Sequence, residues 1–345
     1  MKRKQFLTSI LATGAAIKAL GDPVPSIKVN DDEVQHAIKV PPYLNKGDAI
    51  GITAPAGFIT MEDIQPAVTK LQEWGFTIKT GSTIGKRDFT FGGTDEERLA
   101  DMQGMLDDKS IKAILCARGG YGAVRIIDGL DFKRFSQQPK WLIGFSDITV
   151  MHSHIHTNLA IASIHSKMCN SFPDDWNLAE PVQKDTIESI RLCLAGEKMS
   201  YTAALNLKNK PGTAEGQLVG GNLKTIESLA GSKSDLITKN KVLFLEDTGE
   251  YLYSIDRMFW NLKRTGKLND LKGLIIGGFK VKKDDEGEEF GKILEDIVLE
   301  KIKDKSYPVC FDFPVGHQKN NFALKCGMMH RLTVSPSGSF LSEAR

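Results

Sequence analysis

The chain is poor in the residues that staple small folds. It has 5 cysteines in 345 residues, at Cys116, Cys169, Cys193, Cys310 and Cys326. They are scattered, odd in number and form no Cys-x-x-Cys pair, which argues against a disulfide framework or a zinc site. Cys116 and Cys310 sit inside apolar runs and read as core thiols. Charge of one sign is not in excess either. The formal net charge is +2 and no Arg/Lys block interleaves with aromatics, so no nucleic-acid partner is expected. No internal apolar run reaches the length of a membrane helix, so no stable membrane insertion is expected. Repeats and low-complexity tracts are absent. What remains is 41% hydrophobic and 26% charged, the mix of a globular protein long enough for two domains with cores of their own.

The N-terminus differs from the rest. Lys2, Arg3 and Lys4 precede a mostly apolar stretch from Phe6 to Leu20, the charged-then-apolar layout of a secretory signal. Ala15, Ala16 and Ala19 are small enough for a cleavage site, although Lys18 interrupts the apolar part. The order Arg3-Lys4-Gln5-Phe6-Leu7 is near a twin-arginine signal but lacks the second arginine. Residues 1–20 are therefore expected to be a signal peptide, with a short amphipathic helix as the bland alternative. Residues 21–45, polar and Pro-containing, read as a linker or arm. The expected location is periplasmic, the alternative cytoplasmic.

From Asp48 onward, short apolar runs alternate with helical patterns. Ala49 to Ala54 is a strand of the parallel-sheet kind and ends at Pro55-Ala56-Gly57. Thr60 caps a helix, and Thr94-Asp95-Glu96-Glu97 has capping-box form. Ala113 to Ala117 is the next strand, followed by Arg118-Gly119-Gly120-Tyr121-Gly122. The apolar run Trp141-Leu142-Ile143 then leads into Gly144-Phe145-Ser146-Asp147. This alternation predicts a parallel sheet covered on both faces, with ligands at the carboxyl ends of its strands. The rhythm lapses over 169–210, read as a crossover containing a helix from Pro181 to Leu194. A second α/β domain is expected over 211–345, after a first over 46–168. Its strands include Val242–Leu245, Leu274–Gly277 and Val309–Phe313, with helices near Ile255–Leu262 and Ile293–Ile302.

Ser146 is the candidate nucleophile. A serine between strand and helix is lifted out of the core, with the first helical N–H groups beside it for an oxyanion. Such a serine is often a mere cap, and Ile148 stands where a Gly-x-Ser-x-Gly motif would place its last glycine. Three features favour chemistry. The Gly119–Gly122 loop lets backbone approach a substrate. Glu246 ends an apolar strand, where a carboxylate faces the crevice. His317 follows Pro314-Val315-Gly316 in a loop past another strand end. These supply nucleophile, tautomer-holding carboxylate and base. Arg118, beside the glycine loop, could bind a substrate carboxylate or make a structural salt bridge. His152 and His156 are one helical turn apart, but no His-Glu-x-x-His pattern joins them, and they read as surface or interface residues. His165 either lines the pocket or is a satisfied polar residue. Gly220-Gly221-Asn222 reads as a turn capping a helix, because no Lys-Ser/Thr follows it.

Several phrases together resemble the LD-carboxypeptidase family of muramoyl-tetrapeptide carboxypeptidases, whose relatives include the microcin-C self-immunity peptidases. They are Gly47-Asp48-Ala49-Ile50 through Ala54-Pro55-Ala56-Gly57, Phe91-Gly92-Gly93-Thr94, Arg118-Gly119-Gly120-Tyr121-Gly122, Gly144-Phe145-Ser146-Asp147, Gly220-Gly221-Asn222-Leu223, Leu245-Glu246-Asp247 and Gly316-His317. The phrases keep the family's order over roughly residues 45–335. The resemblance implies a flavodoxin-like or amidotransferase-like N-terminal parallel-sheet domain, a smaller C-terminal α/β domain and a homodimer. It implies a serine peptidase with Ser146, Glu246 and His317 as the triad, Glu250 being a fallback for the carboxylate. Backbone N–H groups of Asp147 and of the loop holding Gly120 and Tyr121 would form the oxyanion hole. No cofactor and no metal is implied. The implied substrate is a muropeptide, cleaved between an L-centre of meso-diaminopimelate and terminal D-alanine. Two phrases depart from the family: Ala323-Leu324-Lys325-Cys326-Gly327 stands for a Leu-Pro-Leu-Gly-like phrase, and His165-Ser166-Lys167 for His-Gly-Pro. The rival readings are an immunity-type peptidase or amidase on peptidyl-nucleotide-like substrates, and a non-catalytic periplasmic muropeptide-binding protein.

Overall fold

A computed structural model describes residues 37–344. The expected signal peptide and most of the expected arm lie outside the described residues. The last part of the arm is docked: Lys39 N donates to Ala160 O at 2.7 Å, Trp141 Nε1 donates to Pro42 O at 3.1 Å, and Tyr43 stacks on Trp141 with centroids 5.6 Å apart.

The strands are β1 (Ala49–Thr53), β2 (Thr77–Thr80), β3 (Ile111–Cys116), β4 (Trp141–Gly144), β5 (Ser163–His165), β6 (Ser200–Ala203), β7 (Gly212–Asn222), β8 (Val242–Glu250), β9 (Gly273–Val281), β10 (Val309–Cys310), β11 (Leu324–Cys326), β12 (Met329–Ser335) and β13 (Gly338–Glu343). The helices are α1 (Met61–Glu73), α2 (Asp95–Asp107), α3 (Ala123–Ile126), α4 (Lys133–Gln137), α5 (Thr149–Leu159), α6 (Pro181–Leu194), α7 (Leu223–Ser228), α8 (Leu252–Arg264) and α9 (Leu294–Lys301). The first sheet runs β11-β5-β4-β3-β1-β2 and the second β10-β9-β8-β7-β12-β13-β6. Strands β1 to β5 pair in parallel, as do β7 to β10. This is the mixed α/β architecture that the alternating pattern and the family resemblance called for.

Local sequence explains the regular parts. Every residue of β1 and β4 is buried, as expected of strands covered by helices on both faces. Both expected caps form, the one at Thr60 also as a capping box: Thr60 Oγ1 accepts from Asp63 N at 3.1 Å, and Thr94 Oγ1 from Glu97 N at 3.2 Å. Pro181 opens α6 at its first turn, where its missing N–H costs nothing. The core fills both faces of each sheet, with Trp141, Phe135, Phe244 and Phe259 fully buried. Among the described residues, all five cysteines are buried and free, and burial pushes the Cys193 thiol up to about 12.

Other parts were not anticipated. Strand β11 belongs to the first sheet, pairing antiparallel with β5 although it lies far along the chain. Strand β6 pairs with β13 in the second sheet. The expected strand Val309–Phe313 is shorter, because the chain turns at Asp312 with φ 55. The antiparallel β12–β13 hairpin enlarges the second sheet. No helix among the described residues is long and apolar enough to cross a membrane.

Candidate active site

Ser146 stands at the end of β4 with φ 61, left-handed backbone that a serine rarely adopts. The strand does not pass directly into a regular helix: residues 146–148 form one 3₁₀ turn, and α5 begins at Thr149. Gly144 permits this bend, since a Cβ there would come within 2.9 Å of the Ile148 side chain. The glycine loop closes over the serine. A Cβ on Gly119 would lie 3.1 Å from Ser146 Cβ and 3.3 Å from its Oγ, so only glycine leaves the hydroxyl room. Gly119 O also accepts from Gly57 N at 2.9 Å, which joins the loops after β1 and β3.

Asp147 fixes the elbow from below. It is buried, and its Oδ2 accepts from Ala123 N at 2.8 Å. Burial pushes its carboxyl up to about 6, despite the opposing hydrogen bonds and the nearby Arg98 guanidinium. Arg98 lies in the first turns of α2, just after the capping box. It is fully buried, and its Nη1 donates to Pro55 O at 2.7 Å and to Gly122 O at 2.9 Å. It also pairs with Asp95. One cation thus holds both glycine-containing loops beside Ser146. Asp95 and Glu97 in the first turn of α2 marked a cap, but nothing in the sequence marked Arg98 as interior.

The second sheet supplies the other half. Glu246 is fully buried on β8, at the point where the β8–β9 register shifts between Leu245 and Asp247. Its Oε2 lies 2.5 Å from His317 Nδ1. Gly316 makes that approach possible: its φ is 101, and a Cβ there would overlap the Glu246 side chain. Buried Asn321 ties down the same loop, its Oδ1 accepting from Gly316 N at 2.7 Å. Glu250, the fallback carboxylate, sits at the last residue of β8 and does not bond to His317.

The halves meet at this point. The ring of Phe145, directly before Ser146, lies 4.9 Å from the His317 ring between centroids. Thr149 Oγ1, three residues after the serine, accepts from Asn222 N at 3.1 Å. Among the described residues no hydrogen bond joins Ser146 to His317. Asn222 caps α7 as read from sequence, accepting from Thr225 N at 3.0 Å. Asp247 repeats the role of Asp147: buried, pushed up to about 6 by burial, and accepting from Lys224 N at 2.8 Å and Thr248 N at 2.7 Å.

The remaining candidates fall as follows. Arg118 is exposed; its Nη1 donates to Phe58 O at 3.0 Å, and it forms no ion pair among the described residues. Tyr121 is exposed and tilts against Phe91 at 5.9 Å. Gly120 has φ 99 at the loop's outer turn. His152 and His156 are not surface residues. His152 is buried between Ser163 Oγ at 2.8 Å and Gly144 O at 2.9 Å, and His156 is buried 2.8 Å from Lys241 Nζ. Desolvation holds the two imidazoles at about 4 and about 3. His165 is fully buried between Phe145 and Phe244, behind the site rather than open to it. Among the described residues no group of three or more His, Cys, Asp or Glu side chains is arranged for a metal.

A strained serine at the end of a parallel strand, and a carboxylate–histidine pair whose imidazole packs on the residue before it, are parts that a serine hydrolase of α/β architecture uses. The chain belongs to the LD-carboxypeptidase family: the family's N-terminal domain matches residues 50–166 and its C-terminal domain residues 215–332. It is a serine-type carboxypeptidase by that membership. A probable murein peptide carboxypeptidase of Bacillus subtilis is 35% identical over 293 residues, covering 83% of this chain and 89% of the relative. The crystal structure of muramoyltetrapeptide carboxypeptidase from Oxalobacter formigenes has a TM-score of 0.75 at 26% identity, covering 86% of this chain and 99% of that one. The microcin C7 self-immunity protein MccF, in its wild-type apo state, has a TM-score of 0.78 at 22% identity, covering 89% and 99% of the two chains. That last likeness is one of fold.

Proposed function

We propose that this protein is a serine LD-carboxypeptidase that releases the terminal D-alanine from muropeptide tetrapeptides during peptidoglycan turnover. The observation that carries the reading is the 2.5 Å contact between Glu246 and His317 in a loop packed on the residue before Ser146. In this reading Ser146 Oγ attacks the carbonyl carbon joining the L-centre of meso-diaminopimelate to D-alanine. His317 takes the hydroxyl proton as the bond forms, while Glu246 holds its Nδ1–H and so fixes the tautomer. The backbone N–H groups of Asp147 and Gly120 receive the oxyanion. The proton then passes from His317 to the leaving amine, D-alanine departs, and water, deprotonated by His317, hydrolyses the acyl-enzyme. Arg118 and Tyr121 border the entrance.

The nucleophile comes from 46–168 and its two partners from 211–345, joined by the crossover 169–210. The charged-then-apolar N-terminus supports export to the periplasm, and we extend the reading to a homodimer.

Incubation with a defined tetrapeptide, followed by mass spectrometry, tests the activity. Loss of one alanine is expected from the wild type, unaffected by a metal chelator. Ser146→Ala is expected to lower turnover by about 10⁴-fold or more. Cleavage of an acyl-sulfamoyl adenylate in place of the tetrapeptide would convert the reading to an immunity-type peptidase. Tight binding of the muropeptide without release of alanine would convert it to a binding protein.

A further inference from the structure

Lys167 has no part in the reading above, and it stands where the family phrase is broken. It lies two residues past the end of β5, the strand paired with β4, so it shares a sheet edge with Ser146. Its Nζ lies 5.6 Å from the centroid of the Phe145 ring, which in turn lies 4.9 Å from the His317 ring. On its other side Nζ donates to Gln318 O at 2.7 Å, one residue beyond His317. The ammonium therefore bridges the strand end that carries the serine and the loop that carries the histidine.

Its partners do not balance its charge. Among the described residues Lys167 forms no ion pair with a carboxylate. The charged groups that act on it are Lys280, which repels it, and Glu246, which attracts it but is already bonded to His317. Lys280 comes from the outer end of β9, opposite Thr248 on β8, so it flanks the same loop. Burial lowers the Lys167 ammonium to about 8. An ammonium has three donors, and one neutral carbonyl uses only one of them. A half-buried cation so placed is costly until an anion joins it.

We propose that Lys167, backed by Lys280, binds a carboxylate of the substrate beside the scissile bond. The proposal rests on the carboxypeptidase reading of this site. Two carboxylates flank that bond in a tetrapeptide: the terminal one of D-alanine and the side-chain one of meso-diaminopimelate. A cation on either fixes the peptide's register over Ser146, and both give the same lysine the same work.

Calorimetry on the full chain carrying Ser146→Ala tests this without turnover. Adding Lys167→Met is expected to weaken tetrapeptide binding by about tenfold or more, and Lys167→Arg by less than about threefold. The arginine variant keeps the charge and guards against a mere folding defect. Two altered peptides separate the carboxylates: one ends in D-alaninamide, the other has L-lysine as its third residue. The peptide lacking the bound carboxylate is expected to bind the parent and the Lys167→Met protein equally. Equal affinity of both proteins for the intact peptide overturns the proposal, as does equal loss in the Met and Arg variants. An undiminished Met effect on both altered peptides overturns it too. Turnover is measured separately with Ser146 intact. Lysine-dependent binding without release of D-alanine would sink the activity and leave the carboxylate site standing.

Discussion

The two halves of the site solve the same problem by different means. At the end of β4 stands the candidate nucleophile Ser146, followed by buried Asp147; on β8 stands Glu246, bonded to His317 and followed by buried Asp247. In each pair the first residue is the one proposed to take part in the chemistry, and the second accepts hydrogen bonds from neighbouring backbone, Ala123 N in one case and Lys224 N and Thr248 N in the other. The serine is aimed by a strained φ of 61. The glutamate is aimed without such strain, at a register shift between two parallel strands. A short hydroxyl must be lifted out by bending its own backbone, whereas a longer carboxylate reaches its partner from a strand that stays in the sheet. The acid that follows holds each turn.

The comparison breaks most sharply at the histidine, whose carboxylate partner comes from the second half. His317→Ala is expected to lower kcat by about 10⁴-fold or more, and Glu246→Gln by about 10²–10⁴-fold with KM little changed, because the amide no longer holds the imidazole tautomer. Steady-state kinetics on a tetrapeptide checks both. A Glu246→Gln enzyme with wild-type kcat would reduce the 2.5 Å contact to a structural bond.

The glycines give the next largest effect and sharpen the contrast. Gly316→Ala combines a φ of 101 with overlap on Glu246, so both backbone and side chain resist it. A loss of about 2–4 kcal/mol in stability and about 10²-fold in kcat is expected. Gly119→Ala meets Ser146 only at 3.1–3.3 Å. It should cost less stability, about 1 kcal/mol, yet still depress kcat by crowding the hydroxyl. Denaturant melts beside kinetics distinguish the two. Equal stability losses would show that the two loops are equally adaptable.

The legible parts of this site were those whose signal is local. Ser146 after an apolar strand and His317 past a glycine follow from periodicity and turn residues; Glu246 was expected at a strand end, but β8 runs on to Glu250 and the residue is aimed instead by the register shift beside it. The caps at Thr60 and Thr94 were readable for the same reason, since a few adjacent residues decide them. What escaped was set by distant neighbours. Arg98 sits on a helix that looks amphipathic, and only the convergence of Pro55 and Gly122 on its guanidinium makes its burial tolerable. His152 and His156 looked like surface residues because their acceptors and neighbours, Gly144, Ser163 and Lys241, come from other elements. Strand β11 has three residues and a partner that precedes it by more than a hundred positions, so no window of sequence could pair it. The β12–β13 hairpin was different. Its alternation around His330, Leu332 and Val334 and the turn at Pro336-Ser337-Gly338 were there to be read.

An effect on stability alone, visible only as pH changes, concerns the two buried acids themselves. Each carboxyl is raised from 3.8 to about 6, chiefly by burial. A raised value means that the folded state holds the proton more tightly than the unfolded state. Between pH 4 and pH 6 the native protein therefore binds more protons, and the stability present below pH 4 is lost as pH rises through 6. An asparagine does not titrate. Asp147→Asn and Asp247→Asn should each gain on the wild type as pH climbs from 4 to 7, by about 2–3 kcal/mol. The two sites differ in their neighbours: Arg98 attracts the charge on Asp147, whereas Glu246 repels the charge on Asp247. At pH 7 the asparagine at 247 should thus be tolerated better than the one at 147, which leaves Arg98 with Asp95 as its remaining acidic partner. Urea melts of both variants at pH 4.5 and 7.5 measure this directly. A pH-independent difference from wild type would mean that neither acid feels its burial, and the parallel between the two turns would then rest on hydrogen bonds alone.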